Sequence, residues 1–247
     1  MSGDVARAVA LDGVCKAFDG RDVLADVDLH VDAGETVALI GRSGCGKSTL
    51  LRAMAALPGA TCSGRIIVDG RDIGRAPRHT LARTIAFVAT GRTRIPCMRC
   101  ADVVAMGRAP YTNWMGSMQA VDRDIVFASL EAVGMAEYAG RDMNTMSDGE
   151  CQRIMIARAF AQDTPVMLLD EPTSFLDLPN RHELCALLAR LAHDSGKCIV
   201  FSTHELDIAL RRADDIALIA PSRLHLLDAS AMQRSGLIES TFHLEQL

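Results

Sequence analysis

The run GRSGCGKS at 41–48 constrains this chain more than any other stretch. It matches G-x-x-x-x-G-K-[ST]. The apolar ETVALIG before it reads as a buried strand, and Leu50, Leu51, Met54 and Leu57 after it fall at helical spacing. With glycine at about 7% of average usage, a chance match arises in roughly one chain in a hundred, and in fewer once the strand and helix are required. The residue types have a chemical reason. Gly41, Gly44 and Gly46 let successive backbone amides turn inward around phosphate oxygens. Lys47 reaches β and γ phosphates, the Ser48 hydroxyl completes the coordination of Mg2+, and Thr49 opens the helix and adds a phosphate contact. The loop through Gly41, Ser43, Gly44, Cys45, Gly46, Lys47, Ser48 and Thr49 is the expected nucleotide site.

The surrounding pattern is that of an α/β chain. Residues 7–32 alternate polar and apolar with Asp/Gly punctuation, as half-exposed antiparallel strands do. GRIIVDG and TIAFVAT read as short strands, and the stretch from about 100 to 162 reads as helical. PVMLLDEP and KCIVFSTH are buried runs separated by the helical RHELCALLARLAHDSG, which ends at Gly196. Apolar runs alternating with helices predict a parallel sheet covered on both faces. An antiparallel edge and a helical insertion between about 89 and 162 are added to it.

Composition narrows the function. With 49% apolar residues, 247 residues can bury a large core. A net charge of −5 leaves no basic surplus for nucleic acid, so any phosphate site is local. No apolar run approaches a membrane span, and MSGDVARAVAL lacks the apolar core of a signal peptide, which predicts a cytoplasmic protein. Eight cysteines scattered through apparent strands and helices suit reduced thiols. Cys97 and Cys100 form a close pair, but no second pair or histidine stands at zinc spacing, and they receive no role.

Further residues join the phosphate loop. VMLLDE (166–171) is a strand ending in two carboxylates, on the ligand edge of such a sheet. Asp170 fits a magnesium partner and Glu171 an acceptor for the attacking water. His204 ends the next strand and reaches the same edge, for a phosphate and water contact. In MSDGECQR, Ser147 and Glu150 form a capping box, while Gly149 lies in a first helical turn that presents free amides to an anion.

GRSGCGKST, MSDGECQR, LLDEP, SFLD and STH, in this order and at these intervals, resemble the ATP-binding subunits of ABC transporters across essentially the whole chain. The resemblance implies a P-loop NTPase (ABC ATPase) fold in a single domain, 1–247, with a nucleotide-binding core of 1–88 and 163–247 and a helical subdomain of 89–162. It implies a head-to-tail homodimer with two ATP molecules between the copies. Ser147 and Gly149 would then meet the γ-phosphate in trans, Asp177 would lie at the seam and Phe18 would stack on adenine. Lys47, Glu171 and His204 carry the hydrolysis; Ser48 and Asp170 hold magnesium.

Two departures stand out. LSGGQ is replaced by Met146 to Glu150, with Asp148 expected to point outward because a carboxylate near the γ-phosphate repels it. The usual glutamine after IAFVA is Thr90, which is expected to weaken coupling to a membrane partner. ADVVAMGRAPYTNWMG (101–116), with Tyr111 and Trp114, resembles the GR-x-P segment of ATPases serving iron-siderophore, haem and cobalamin importers. That implies a peripheral subunit on the cytoplasmic face of the membrane, with a polytopic permease and, indirectly, a substrate-binding protein as partners. The alternative is a soluble ABC ATPase with a non-membrane partner, as in iron-sulfur cluster assembly.

Overall fold

The computed structural model describes residues 7–18, 20–91, 95–112, 117–221 and 223–243, the side chains of Phe18 and Arg21 excepted. The adenine contact expected of Phe18 and the end of the GR-x-P-like stretch, with Trp114, therefore lie outside the described residues.

Two sheets form the frame. β1 (Arg7–Phe18) and β2 (Arg21–Asp32) pair antiparallel, and β4 (Ser63–Val68) and β5 (Arg71–Asp72) extend them into a sheet of order β2-β1-β4-β5. The second sheet contains β3 (Thr36–Gly41), β6 (Ile85–Val88), β7 (Val166–Leu169), β8 (Cys198–Ser202), β9 (Asp215–Ala220) and β10 (Arg223–Asp228). Its order is β10-β9-β3-β8-β7-β6, all parallel except the β9/β10 hairpin.

The period of two divides the core. Val37, Leu39, Val166, Leu168, Cys198 and Val200 face the antiparallel sheet. Ala38, Ile40, Met167, Leu169, Ile199 and Phe201 face the other way. The first face also takes α1 (Lys47–Met54) through Leu50, Leu51, Ala53 and Met54. A Leu51→Ala change there would cost ~2–5 kcal/mol.

The remaining helices are α2 (Arg78–Leu81), α3 (Cys100–Ala105), α4 (Ala120–Ala132), α5 (Asp148–Ala161), α6 (Leu178–Ser195), α7 (Leu206–Arg212), α8 (Ala229–Arg234) and α9 (Leu237–Phe242). All but α2 contribute buried side chains to the second face. The helical run expected from 100 to 162 is broken into α3, a 3-10 turn at Met106–Tyr111, α4, two short 3-10 turns and α5. Pro110 and Gly134, the latter at φ 73, fall in the interruptions.

Parallel β3, β8 and β7 are neighbours, with Leu39 opposite Ser202 and Leu169 opposite Phe201. Gly41, Asp170 and Ser202 consequently emerge at one edge of the sheet, where ligands of open α/β folds bind.

Candidate functional site

The loop between β3 and α1 is held by glycine backbone. Gly46 caps α1 at φ 107, and a Cβ there would lie 2.7 Å from Val23 Cγ1. Gly41, at φ 151, would put a Cβ 2.6 Å from Cys45 Sγ and 2.9 Å from the Ile219 carbonyl. The loop therefore accepts no side chain at either position. Lys47 is 6% exposed, and its ammonium donates to the carbonyls of Gly41 (2.8 Å) and Arg42 (3.3 Å). Burial pushes the Cys45 thiol up against the opposing pull of Lys47, so no thiolate competes with an anion in the loop.

Asp170 is 2% exposed, and its Oδ1 accepts from the hydroxyls of Ser48 (2.9 Å) and Ser202 (2.8 Å). Ser202 Oγ also accepts from the Glu171 amide at 2.8 Å, so a single buried hydroxyl locks both carboxylate residues in place. Glu171 has φ 47, a conformation costing of order 1–3 kcal/mol outside glycine unless its surroundings enforce it. Its Oε2 accepts from Ser174 (3.0 Å), and its Oε1 lies 2.5 Å from His204 Nε2. A carboxylate has about four lone-pair sites, so Glu171 retains the capacity to take a proton from water.

A hollow of about 460 Å³ is lined by Val23, Ser43, Gly44, Gly46, Lys47, Ser48, Thr49, Glu171 and His204. A larger one, about 870 Å³, shares Val23, Ser43 and Gly44 but is otherwise built largely from β9, β10 and the α9 region, and lacks Lys47 and Glu171. The chemistry points to the smaller. The adjacent hydroxyl of Ser48 and carboxylate of Asp170 are hard oxygen donors, and they fit magnesium better than a softer metal.

Ser147, Gly149 and Asp177 do not line either hollow. Ser147 caps α5 as the capping box requires: its Oγ accepts from the Glu150 amide (3.3 Å), and Glu150 Oε2 accepts from the Ser147 amide (2.7 Å). The amide bond, first among several causes, holds the Glu150 carboxyl below the usual glutamate range. Asp177 caps α6, accepting from the Asn180 amide at 3.2 Å. A Cβ on Gly149 would lie 3.5 Å from Leu176 Cδ2, so the start of α5 sits against the segment that precedes α6. Phe175 and Leu178, flanking that segment, are 53% and 57% exposed. Asp148 is half-buried in the first turn of α5.

Thr90 donates its hydroxyl to the Asp170 carbonyl at 2.9 Å, bridging the ends of β6 and β7. Ser174 and Ser202 escaped the sequence reading; the one available signal was their place beside DEP and before TH. Cys97 is exposed and Cys100 buried, and among the described residues no group of three or more His, Cys, Asp or Glu is placed to hold a metal. Among them, too, no helix is long and apolar enough to cross a membrane.

Residues 24–174 match the ABC transporter family model. The hemin import ATP-binding protein HmuV of Nocardia farcinica is 41% identical over 89% of this chain and 75% of its own length. The petrobactin import ATP-binding protein FpuD of Bacillus anthracis is 36% identical over 82% and 74% respectively. The dimeric structure of the ATP-binding cassette MJ0796 in a post-hydrolysis state, bound to ADP and Pi, superposes with a TM-score of 0.74 at 26% identity, covering 90% of this chain and 98% of that one. A phosphate loop backed by paired carboxylates, in a chain that these relatives match over most of its length, makes the protein a member of the ABC transporter family and one of its ATP-binding subunits.

Proposed function

We propose that the protein is the ATP-hydrolysing subunit of an importer for iron-siderophore, haem or cobalamin-type cargo. Two copies pair head to tail on the cytoplasmic face of a polytopic permease, as peripheral subunits, and a substrate-binding protein delivers cargo to that permease. The relatives named for hemin and petrobactin import support the cargo class, and the dimeric neighbour bound to ADP and Pi supports the pairing. The core of 1–88 and 163–247 does the chemistry, and the helical subdomain of 89–162, with its GR-x-P segment, faces the permease.

The observation that carries the reading is the convergence of Lys47, Ser48, Glu171 and His204 on one hollow that Ser147, Gly149 and Asp177 do not line. In the proposed site Lys47 leaves the carbonyls of Gly41 and Arg42 for the β and γ phosphates of ATP, and the loop amides and Thr49 cradle the rest. Ser48 and Asp170 hold magnesium, which supplies charge neutralisation across the phosphates when bound. Glu171 orients the attacking water and takes its proton, and His204 fixes the Glu171 carboxylate and contacts the γ-phosphate. Ser147 still has a hydroxyl proton to donate while its oxygen caps α5, and with Gly149 it closes on the γ-phosphate held by the other copy. Asp177 stands at the seam, and Phe18 packs on adenine.

Two experiments test this. Glu171→Gln should lower turnover by ~10²-fold or more and trap an ATP-bound dimer seen by size exclusion. A variant that hydrolyses ATP normally, or stays monomeric with ATP, overturns the assignment. Tagged protein purified from gently solubilised membranes should bring down a multi-span permease in stoichiometric amount. Recovery from the soluble fraction alone, with a soluble partner, overturns the transport reading and leaves the ATPase intact.

A further inference from the structure

Helix α5 and strand β7 are consecutive, joined through Gln162, Asp163, Thr164 and Pro165. Ser147 caps the start of the helix, and Asp170 and Glu171 directly follow the strand. The two halves of the proposed hydrolytic machinery thus stand at opposite ends of one stretch of chain, and the angle between them is set at 161–165. At ~1.5 Å per residue α5 is ~21 Å long, so a small rotation at the joint becomes a displacement of ångströms at Ser147. Asp163 has φ 52, a left-handed conformation that a non-glycine residue keeps only where neighbours enforce it.

The neighbours do so through Arg108, which is 5% exposed. Its guanidinium donates to Asp122 Oδ1 in the first turn of α4 (2.9 Å) and to the Ala161 carbonyl at the end of α5 (2.9 Å). It also lies 4.0 Å from the centroid of the Tyr111 ring, whose hydroxyl donates to the Asp163 carbonyl at 3.3 Å. From the core side, Arg83 stacks on the same ring at 4.9 Å and donates twice to the Pro110 carbonyl. Gln162 donates to the carbonyls of Ala82 and Ile85. The turn also packs directly on the helix backbone, where a Cβ at Gly107 would lie 2.2 Å from the Arg158 carbonyl.

A buried ion pair is a poor way to gain stability, since well-packed apolar residues often do as well or better. What a guanidinium adds is direction: a rigid planar fork that reaches two acceptors and stacks on a ring at once.

We propose that Arg108 and Tyr111 are positioning residues for ATP hydrolysis, fixing the backbone at Ala161 and Asp163 and so the angle at which Ser147 meets the nucleotide of the other copy. The proposal rests on the reading that Ser147 acts in trans.

The test uses the full chain carrying Arg108→Lys or Tyr111→Leu. Lysine keeps the charge beside Asp122 but lacks the fork. Turnover should fall at least about tenfold, since a ~1 Å misplacement costs up to 10²-fold. Binding of a fluorescent ATP analogue to the monomer should not change, and ATP-driven dimerisation in a Glu171→Gln background should weaken. Folded variants with unchanged turnover overturn the proposal, as does nucleotide affinity falling in step with kcat, which would make the joint a support for the phosphate loop. A melting temperature lowered with turnover intact also overturns it. Should Arg108→Lys fail to fold, Tyr111→Leu decides by the same readouts. If Glu171→Gln alone does not dimerise with ATP, the trans reading itself is rejected; if it dimerises and the added changes leave dimerisation and turnover untouched, only the positioning role is.

Discussion

Ser202 opens the STH run with no role assigned from the sequence, yet its one hydroxyl serves Asp170 and Glu171 together. Ser202→Ala leaves the half-buried Glu171 amide and the buried Asp170 carboxylate each short of a partner, so it should cost about 1–3 kcal/mol and slow ATP hydrolysis together. A loss below about 0.5 kcal/mol in chemical denaturation, with normal turnover, would show that the hydroxyl is dispensable. Thr90 is the complementary case. Its hydroxyl is already engaged by the Asp170 carbonyl, so the residue ties two strand ends together rather than reaching for metal. Thr90→Gln should therefore raise the ATPase rate stimulated by the permease. If both basal and stimulated rates stay where they were, the idea of weakened coupling at this position fails. At this scale the sequence announced the residues whose chemistry is unusual, Lys47, Asp170, Glu171 and His204. Serines acting through a hydrogen bond across neighbouring strands remained invisible, because register is not written in either strand alone.

The capping box at the start of α5 was legible because both partners are three residues apart in one segment. Arg108 and Asp122 were not: they stand fourteen positions apart, one in a 3-10 turn and one in α4, and the packing of both elements against α5 brings them to 2.9 Å. The strands were legible for the opposite reason, since six buried residues in β3 leave no polar face to confuse the pattern. The box also makes an acid prediction. The Ser147 amide holds the Glu150 carboxyl below its usual range, so the charged form is favoured in the folded helix. The resulting stability is present above the free glutamate value, about 4.3, and is lost as pH falls through the folded value. Amide exchange at the start of α5 should therefore accelerate in acid relative to the rest of the helix, and Glu150→Ala should remove that step. An acid step unchanged in Glu150→Ala would assign it to another group.

A twofold head-to-tail dimer has a consequence that no single-chain site shares. In the proposed dimer each site would take its phosphate loop, Asp170 and Glu171 from one copy and Ser147 from the other. A dimer of two Glu171→Gln copies has both sites broken, and so does a dimer of two Ser147→Arg copies. Pairing one of each gathers both lesions into the same site and leaves the other site whole. Differently tagged copies, co-expressed and purified through both tags, should therefore hydrolyse ATP at about half the wild-type rate per dimer, although each parent is inactive. A site completed within one chain would give the opposite result, because every copy in the mixed dimer carries a lesion. Inactivity of the mixed dimer would accordingly reject a pair of independent sites shared between copies. The same preparation, reconstituted with the permease, would report whether one firing site per cycle is enough to move cargo.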